Sequence, residues 1–128
     1  MAVPLCSMVV PFRVVVDIVG ATPEHWAEVL ECLAELHKDL SPEGAEIRGV
    51  VHSHAWPLLV RPEKGGAAAL HEQAKALVQS GVTLVLCENT LRGVKLGKRD
   101  LMPFARTVSS AVGELVHKQS EGWAYLKL

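Results

Sequence analysis

The sequence predicts a single α/β domain in three layers: a mainly parallel five-stranded sheet with helices on both faces. Three observations predict it. β-branched runs alternate with helical periodicities in the order β-α-β-α-β-loop-β-α-β, which is how a parallel sheet is built through crossover connections. The length of 128 residues suits one core and therefore one domain, taken as residues 1–128. Apolar residues make up 49% of the chain and aromatics 5%, a globular composition with no repeat and no low-complexity tract.

The first strand is "FRVVVDIV", 12–19, a β-branched run too short for a buried helix. Gly20 ends it. A helix then starts with Thr22 as its N-cap, Pro23 in the first helical position and Glu24 in the first turn. Trp26, Val29, Leu30, Leu33, Leu36 and Leu40 recur at spacings of three and four, so they share one stripe. Glu24, Glu28, Glu31 and Glu35 fall opposite and predict a solvated face. His37 lies within the stripe as a packed histidine, and Cys32 lies off its edge.

After the turn "SPEG" comes a second, weaker strand over 45–56, with Ile47, Val50 and Val51 as its apolar residues. A second helix spans about 67–80, with Leu70, Ala74, Leu77 and Val78 facing the core and Gly81 closing it. "VTLVL", 82–86, is the third strand, followed by a long polar connection over 87–103 with a turn of helix near Asp100–Met102. "ARTVSS", 105–110, is a short strand ending in Ser109 or Ser110 as a helix cap. Val112, Leu115, Val116 and Gln119 line the third helix, Gly122 stops it, and "WAYLKL", 123–128, alternates as a last, partly exposed strand.

Composition narrows the function. The formal net charge is −1, so there is no overall attraction to nucleic acid or to an anionic membrane, and neither is expected as a partner. Cys6, Cys32 and Cys87 form an odd set without C-x-x-C spacing. That is neither a disulfide framework nor a zinc framework, and it fits a reducing, cytoplasmic setting. No apolar run reaches the ~20 residues that span a bilayer. The apolar N-terminus lacks a basic region and a cleavage site, so residues 1–10 read as a flexible leader, with Met8 as an alternative start.

Open parallel sheets bind ligands outside the carboxyl ends of their strands. Three polar residues fall at or near such ends: Asp17, His52 and Cys87. If the strands run parallel, all three emerge on one edge. Cys87 supports two readings. It is a small buried hydrophobe, or it is a nucleophile whose thiolate is favoured by nearby cations and loop amides. Asn89, Thr90, Arg92, Lys95, Lys98 and Arg99 follow it, and this basic run can supply such a field. His52 and His54 would share one side of a strand, so a metal site with Cys87 or Asp17 is an alternative, although close ligand pairs are missing. "CENTLR" is one residue shorter than a tyrosine-phosphatase loop, and it lacks the glycine and second basic residue of a rhodanese loop.

The stretches "VVVDI", "VVHS", "GVTLVLCENTLRG" and "SSAVGELVHKQSEGWAYLKL" together resemble the DsrE/DsrF-like family, small intracellular sulfur-handling proteins with a YchN-like α/β fold. The resemblance runs from Phe12 to the end of the chain. It implies association into trimers or hexamers. It also implies that Cys87 matches the position where sulfur-carrier relatives bear a persulfide and pass it to a partner thiol. Ser53 stands where relatives often have glycine, which predicts a differently shaped His52 loop.

The expected function is therefore sulfur relay, by a carrier more than a true enzyme and with no cofactor. Sulfur-donor and sulfur-acceptor proteins are its partners. Cys87 carries the sulfur and His52 moves a proton or orients the loop. Asn89, Thr90, Arg92 and Asp17 contact the substrate. The alternative is an oligomeric binding module without covalent chemistry, holding a small molecule or metal in the same cleft. That module would bury apolar surface around Trp56, Leu58 and Leu59.

Overall fold

The computed structural model describes residues 10–128; the expected leader falls largely outside them. Five strands form one sheet: β1 (Phe12–Ile18), β2 (Ala45–Val51), β3 (Thr83–Cys87), β4 (Arg106–Val108) and β5 (Ala124–Lys127). Their order is β4-β3-β2-β1-β5, and all four pairings are parallel. The helices are α1 (Pro23–Leu40), α2 (Ala68–Ser80), α3 (Glu88–Gly93) and α4 (Ala111–Ser120).

The strands step one way from β1 to β4, and the chain then returns to place β5 beside β1. Right-handed crossovers require that such a reversal put the connecting helix on the opposite face. α4 is that helix. One face of the sheet, with Val14, Val16 and Ile18, packs against Trp26, Val29, Leu30 and Leu33 of α1, Ala74 and Leu77 of α2 and Leu91 of α3. The other face, with Val15, Val50, Val85 and Cys87, is covered by Ala111 and Leu115 of α4. Leu30 and Leu33 are 1% and 0% exposed, so truncating either to alanine would cost about 2–5 kcal/mol.

The helix ends follow their caps. The Thr22 hydroxyl accepts the His25 N–H at 3.1 Å, and the Ser110 hydroxyl accepts the Gly113 N–H at 3.1 Å. Gly81 closes α2 at φ 117°, in the left-handed region that glycine tolerates.

Four expectations change. β2 stops at Val51, because Ser53 has a left-handed φ of 55° and residues 53–58 form a 3₁₀ turn. That turn carries Leu58 and Leu59 into the core, at 1% and 0% exposure, so neither offers a surface for assembly. The connection after β3 begins with α3 directly after Cys87, and the turn of helix expected near Asp100–Met102 is a 3₁₀ turn at Lys98–Asp100. On α4 the buried residues are Ala111 and Leu115, while Val112 and Val116 are 66% and 57% exposed. Helical spacing alone fits either stripe, since Leu115 belongs to both.

Candidate functional site

Because every strand is parallel, Asp17, His52 and Cys87 do reach one edge of the sheet. His52 and Cys87 lie one step past the paired Val51 and Leu86, and alternation turns both to the α4 face with Val50 and Val85. The chain leaves β3 through α3, whose Leu91 joins the larger core, and leaves β4 through α4 on the opposite face. The crevice between those two exits is the switch point of the sheet, and Cys87 ends the strand beside it.

Cys87 is only 5% exposed. Its Sγ accepts the Ala111 N–H at 3.3 Å. Burial pushes the thiol up, but the N–H groups of Thr90 and Ala111, the Thr90 hydroxyl and the Asn89 N–H outweigh it. The net shift is downward, towards thiolate. The donors come from the first turns of both α3 and α4, so the two exits of the switch point together hold the sulfur.

The basic run does not supply this field. Arg92 is hydrogen-bonded to the Asn89 carboxamide oxygen. Lys98 pairs with Glu88 at 3.4 Å, and Lys95 stands exposed at φ 62°. The partners that lower the Cys87 pKa are all neutral. Glu88, which follows the thiol, is held below the usual carboxylate range by the Thr107 hydroxyl, and Lys98 adds to that. Its carboxyl is thereby tied to the β4 side, with partners of its own.

The second half of the site is built on Asp17, 8% exposed. Its Oδ1 lies 2.7 Å from His52 Nε2, and its Oδ2 accepts the Tyr125 hydroxyl at 2.6 Å. The carboxylate thus fixes the imidazole from one side and the phenol from the other, and with Nε2 as donor the Nδ1 lone pair is the available base. The two halves are joined by the Ser53 N–H, which donates to Thr90 Oγ1 at 3.1 Å.

His54 does not accompany His52. The left-handed turn at Ser53 breaks the alternation, and His54 is exposed, with Nδ1 3.3 Å from Ser53 Oγ. Among the described residues no group of three or more His, Cys, Asp and Glu side chains is placed to hold a metal ion.

A sequence model of the DsrE/DsrF-like family matches residues 15–128. The chain belongs to the DsrE/DsrF-like family. Membership supports a sulfur-related role in general, and proteins of this family are typically oligomers. The chain is similar to a protein of unknown function from Methanobacterium thermoautotrophicum, with 28% identity and a TM-score of 0.81, over 91% of this chain and 99% of that one. It is also similar in fold to the ychN protein from E. coli, with 19% identity and a TM-score of 0.74, over 91% and 99%. No curated protein matches at a significant level. No helix among the described residues is long and apolar enough to cross a membrane.

In this DsrE-family chain, two site groups escaped the sequence reading. The Ala111 N–H reaches the thiol from 24 residues away, and only the return of the chain across the sheet brings it there. Tyr125 belongs to a strand expected from its alternation, but its bond to Asp17 depends on β5 pairing with β1 rather than β4. Ser53 had a signal in the glycine that relatives often carry there.

Proposed function

We propose that the chain is a cytoplasmic sulfur-relay protein in which Cys87 carries a sulfane sulfur as a persulfide and passes it to a partner thiol. The observation that carries this reading is the near-covered Cys87 thiol, held by donors from both sides of the switch point and shifted towards thiolate. Exposure of 5% suits a cargo of one atom. Family membership supports the sulfur chemistry.

In loading, the Cys87 thiolate attacks the terminal sulfur of a donor persulfide. The new S–S bond forms at Cys87, the donor's S–S bond breaks, and the donor leaves as thiolate. Unloading repeats the exchange with the acceptor thiolate attacking the outer sulfur. No net redox change occurs and no cofactor takes part, so the protein acts as a carrier more than as an enzyme. The N–H groups of Asn89, Thr90 and Ala111 stabilise the anion before and after transfer. His52, oriented by Asp17, takes or returns the proton. The linked side chains of Asn89 and Arg92 form the rim that meets donor and acceptor proteins, and the working unit is a homo-oligomer, a trimer or hexamer.

The test is mass spectrometry of the protein after incubation with polysulfide or a sulfur-donor protein. The expected result is a gain of one sulfur atom at Cys87, abolished in Cys87→Ser and retained in Cys32→Ser, which removes the exposed thiol of α1. No gain at Cys87, under conditions that load a known carrier, would sink the proposal.

A further inference from the structure

The basic run that the thiol does not use has another destination. Lys98 and Arg99 line a cleft of about 340 Å³ together with Arg61, Arg106 and Thr107. These side chains come from three separate segments: the loop after the 53–58 turn, the 98–100 turn and the edge strand β4. From this convergence we infer that the cleft is a binding site for a small polyvalent oxyanion of the phosphate class.

The charge is local and largely uncompensated. The chain has 13 basic and 14 acidic residues, so a cluster of cations is not expected from composition. Lys98 is paired with Glu88 at 3.4 Å. Arg61, Arg99 and Arg106 have no carboxylate within ion-pair distance among the described residues. Asp100, the acid within the same turn, is 6% exposed and spends Oδ2 on the Gly97 N–H at 2.9 Å.

The backbone beneath the cleft is also cross-linked. The Arg61 N–H donates to the Asp100 carbonyl at 2.8 Å, the Met102 N–H donates to the Leu59 carbonyl at 2.8 Å, and Val60 and Leu101 form an antiparallel bridge between them. Arg61 also donates Nε–H to the Arg99 carbonyl at 3.3 Å. That bond anchors the guanidinium at Nε and leaves both terminal nitrogens as donors. Planar forks set on a fixed frame match the paired oxygens of a tetrahedral oxyanion, which each arginine can hold bidentately. Three unpaired forks fit an anion of more than one charge. The volume suits a phosphate or a phosphate-bearing small molecule rather than an extended polymer.

The site stands apart from the persulfide proposal, since Cys87 does not line the cleft. It touches it through Glu88, whose carboxyl pairs with Lys98 at 3.4 Å and is held below the usual range by the Thr107 hydroxyl. An anion that draws on Lys98 or Thr107 competes for those partners.

The experiment is a titration of the full chain with pyrophosphate, followed by amide NMR shifts and calorimetry, with parallel titrations of ADP and of an oligoglutamate peptide. Pyrophosphate is expected to shift amides in residues 98–107. Arg99→Gln/Arg106→Gln should weaken it by about tenfold or more, and Lys38→Gln on the exposed side of α1 should not. Both substituted arginines are exposed, and a retained amide spectrum shows that the variant is folded. Tighter binding of ADP than of pyrophosphate assigns the site to a nucleotide; equal binding assigns it to the inorganic anion. The proposal is overturned if neither phosphate probe shifts these amides, or if the double variant binds as the parent does. It is also overturned if the acidic peptide alone binds there.

Discussion

The Ser53 N–H donates to the Thr90 hydroxyl oxygen across 3.1 Å, which ties the turn after His52 to the first turn of α3. The Thr90 hydroxyl is also among the groups that lower the Cys87 thiol. Thr90→Val removes that donor, while Thr90→Ser keeps it. In alkylation of Cys87 against pH, the parent is expected to titrate below an ordinary thiol. Thr90→Val should titrate higher and react about three- to tenfold more slowly at neutral pH. Thr90→Ser should follow the parent. Equal profiles for all three would remove Thr90 from the thiol's environment.

The same bond depends on backbone strain at Ser53. Its φ of 55° costs a residue with a side chain about 1–2 kcal/mol relative to the right-handed region, and glycine avoids that cost. Ser53→Gly should therefore leave stability unchanged or raise it by up to about 1 kcal/mol. Ser53→Val, whose branched side chain resists this region, should lower stability by more than that. Denaturant midpoints measure both. If Val were tolerated as well as Gly, the left-handed turn would not be a constraint.

Tyr125 reports on the Asp17 cluster. It is the chain's one tyrosine, so its phenolate can be followed by absorbance without competition. The hydrogen bond to Asp17 raises its pKa, with burial and the carboxylate's charge adding to it. A raised phenol pKa favours the neutral form. The associated stability is present below the ordinary tyrosine pKa and is lost as pH rises through the folded value. Asp17→Asn should bring the phenol back towards ~10. Tyr125→Phe should lower stability by about 0.5–1 kcal/mol near neutral pH, the lower part of the usual range because the phenol is 40% exposed. In the persulfide-loading assay, Tyr125→Phe should flatten the pH profile if the phenol positions His52 through Asp17, whereas a purely structural loss would leave its shape intact.

Much of this site was legible because the alternation of strands and helices is written in the sequence and parallel polarity follows from it. A β-branched run ending in Cys87, with a helix before it and a polar connection to another short strand after it, places the thiol at a carboxyl edge of a parallel sheet. The pairing of the last strand was not legible: β5 could extend β4 or cross over to β1, and the short run "WAYLKL" fits either edge. Tyr125 could not be joined to Asp17 without that choice. The electrostatics misled for a related reason. Charges near Cys87 in sequence look like its partners, but α3 begins directly after the thiol and carries Arg92 onto Asn89, while main-chain N–H groups, invisible in composition, take the role.

Val112 and Val116 expose one apolar edge of α4, at 66% and 57%, on the face of the sheet that α4 covers. They recur one helical turn apart, so they form a short continuous stripe. Apolar stripes left open on a chain whose family typically oligomerises are natural contact surfaces. Val116→Lys places a charge in that stripe while leaving Ala111 and Leu115, the buried side of α4, untouched. The substitution is expected to shift the assembly towards smaller species in light scattering coupled to size exclusion. It should change monomer stability by less than about 0.5 kcal/mol. Glu31→Lys, on the exposed face of α1, is the matching control and should leave the oligomer unchanged. An unaltered oligomer in Val116→Lys would move the contact elsewhere, with the exposed edge of β5, where Tyr125 and Leu126 are each 40% open, as the next surface to probe.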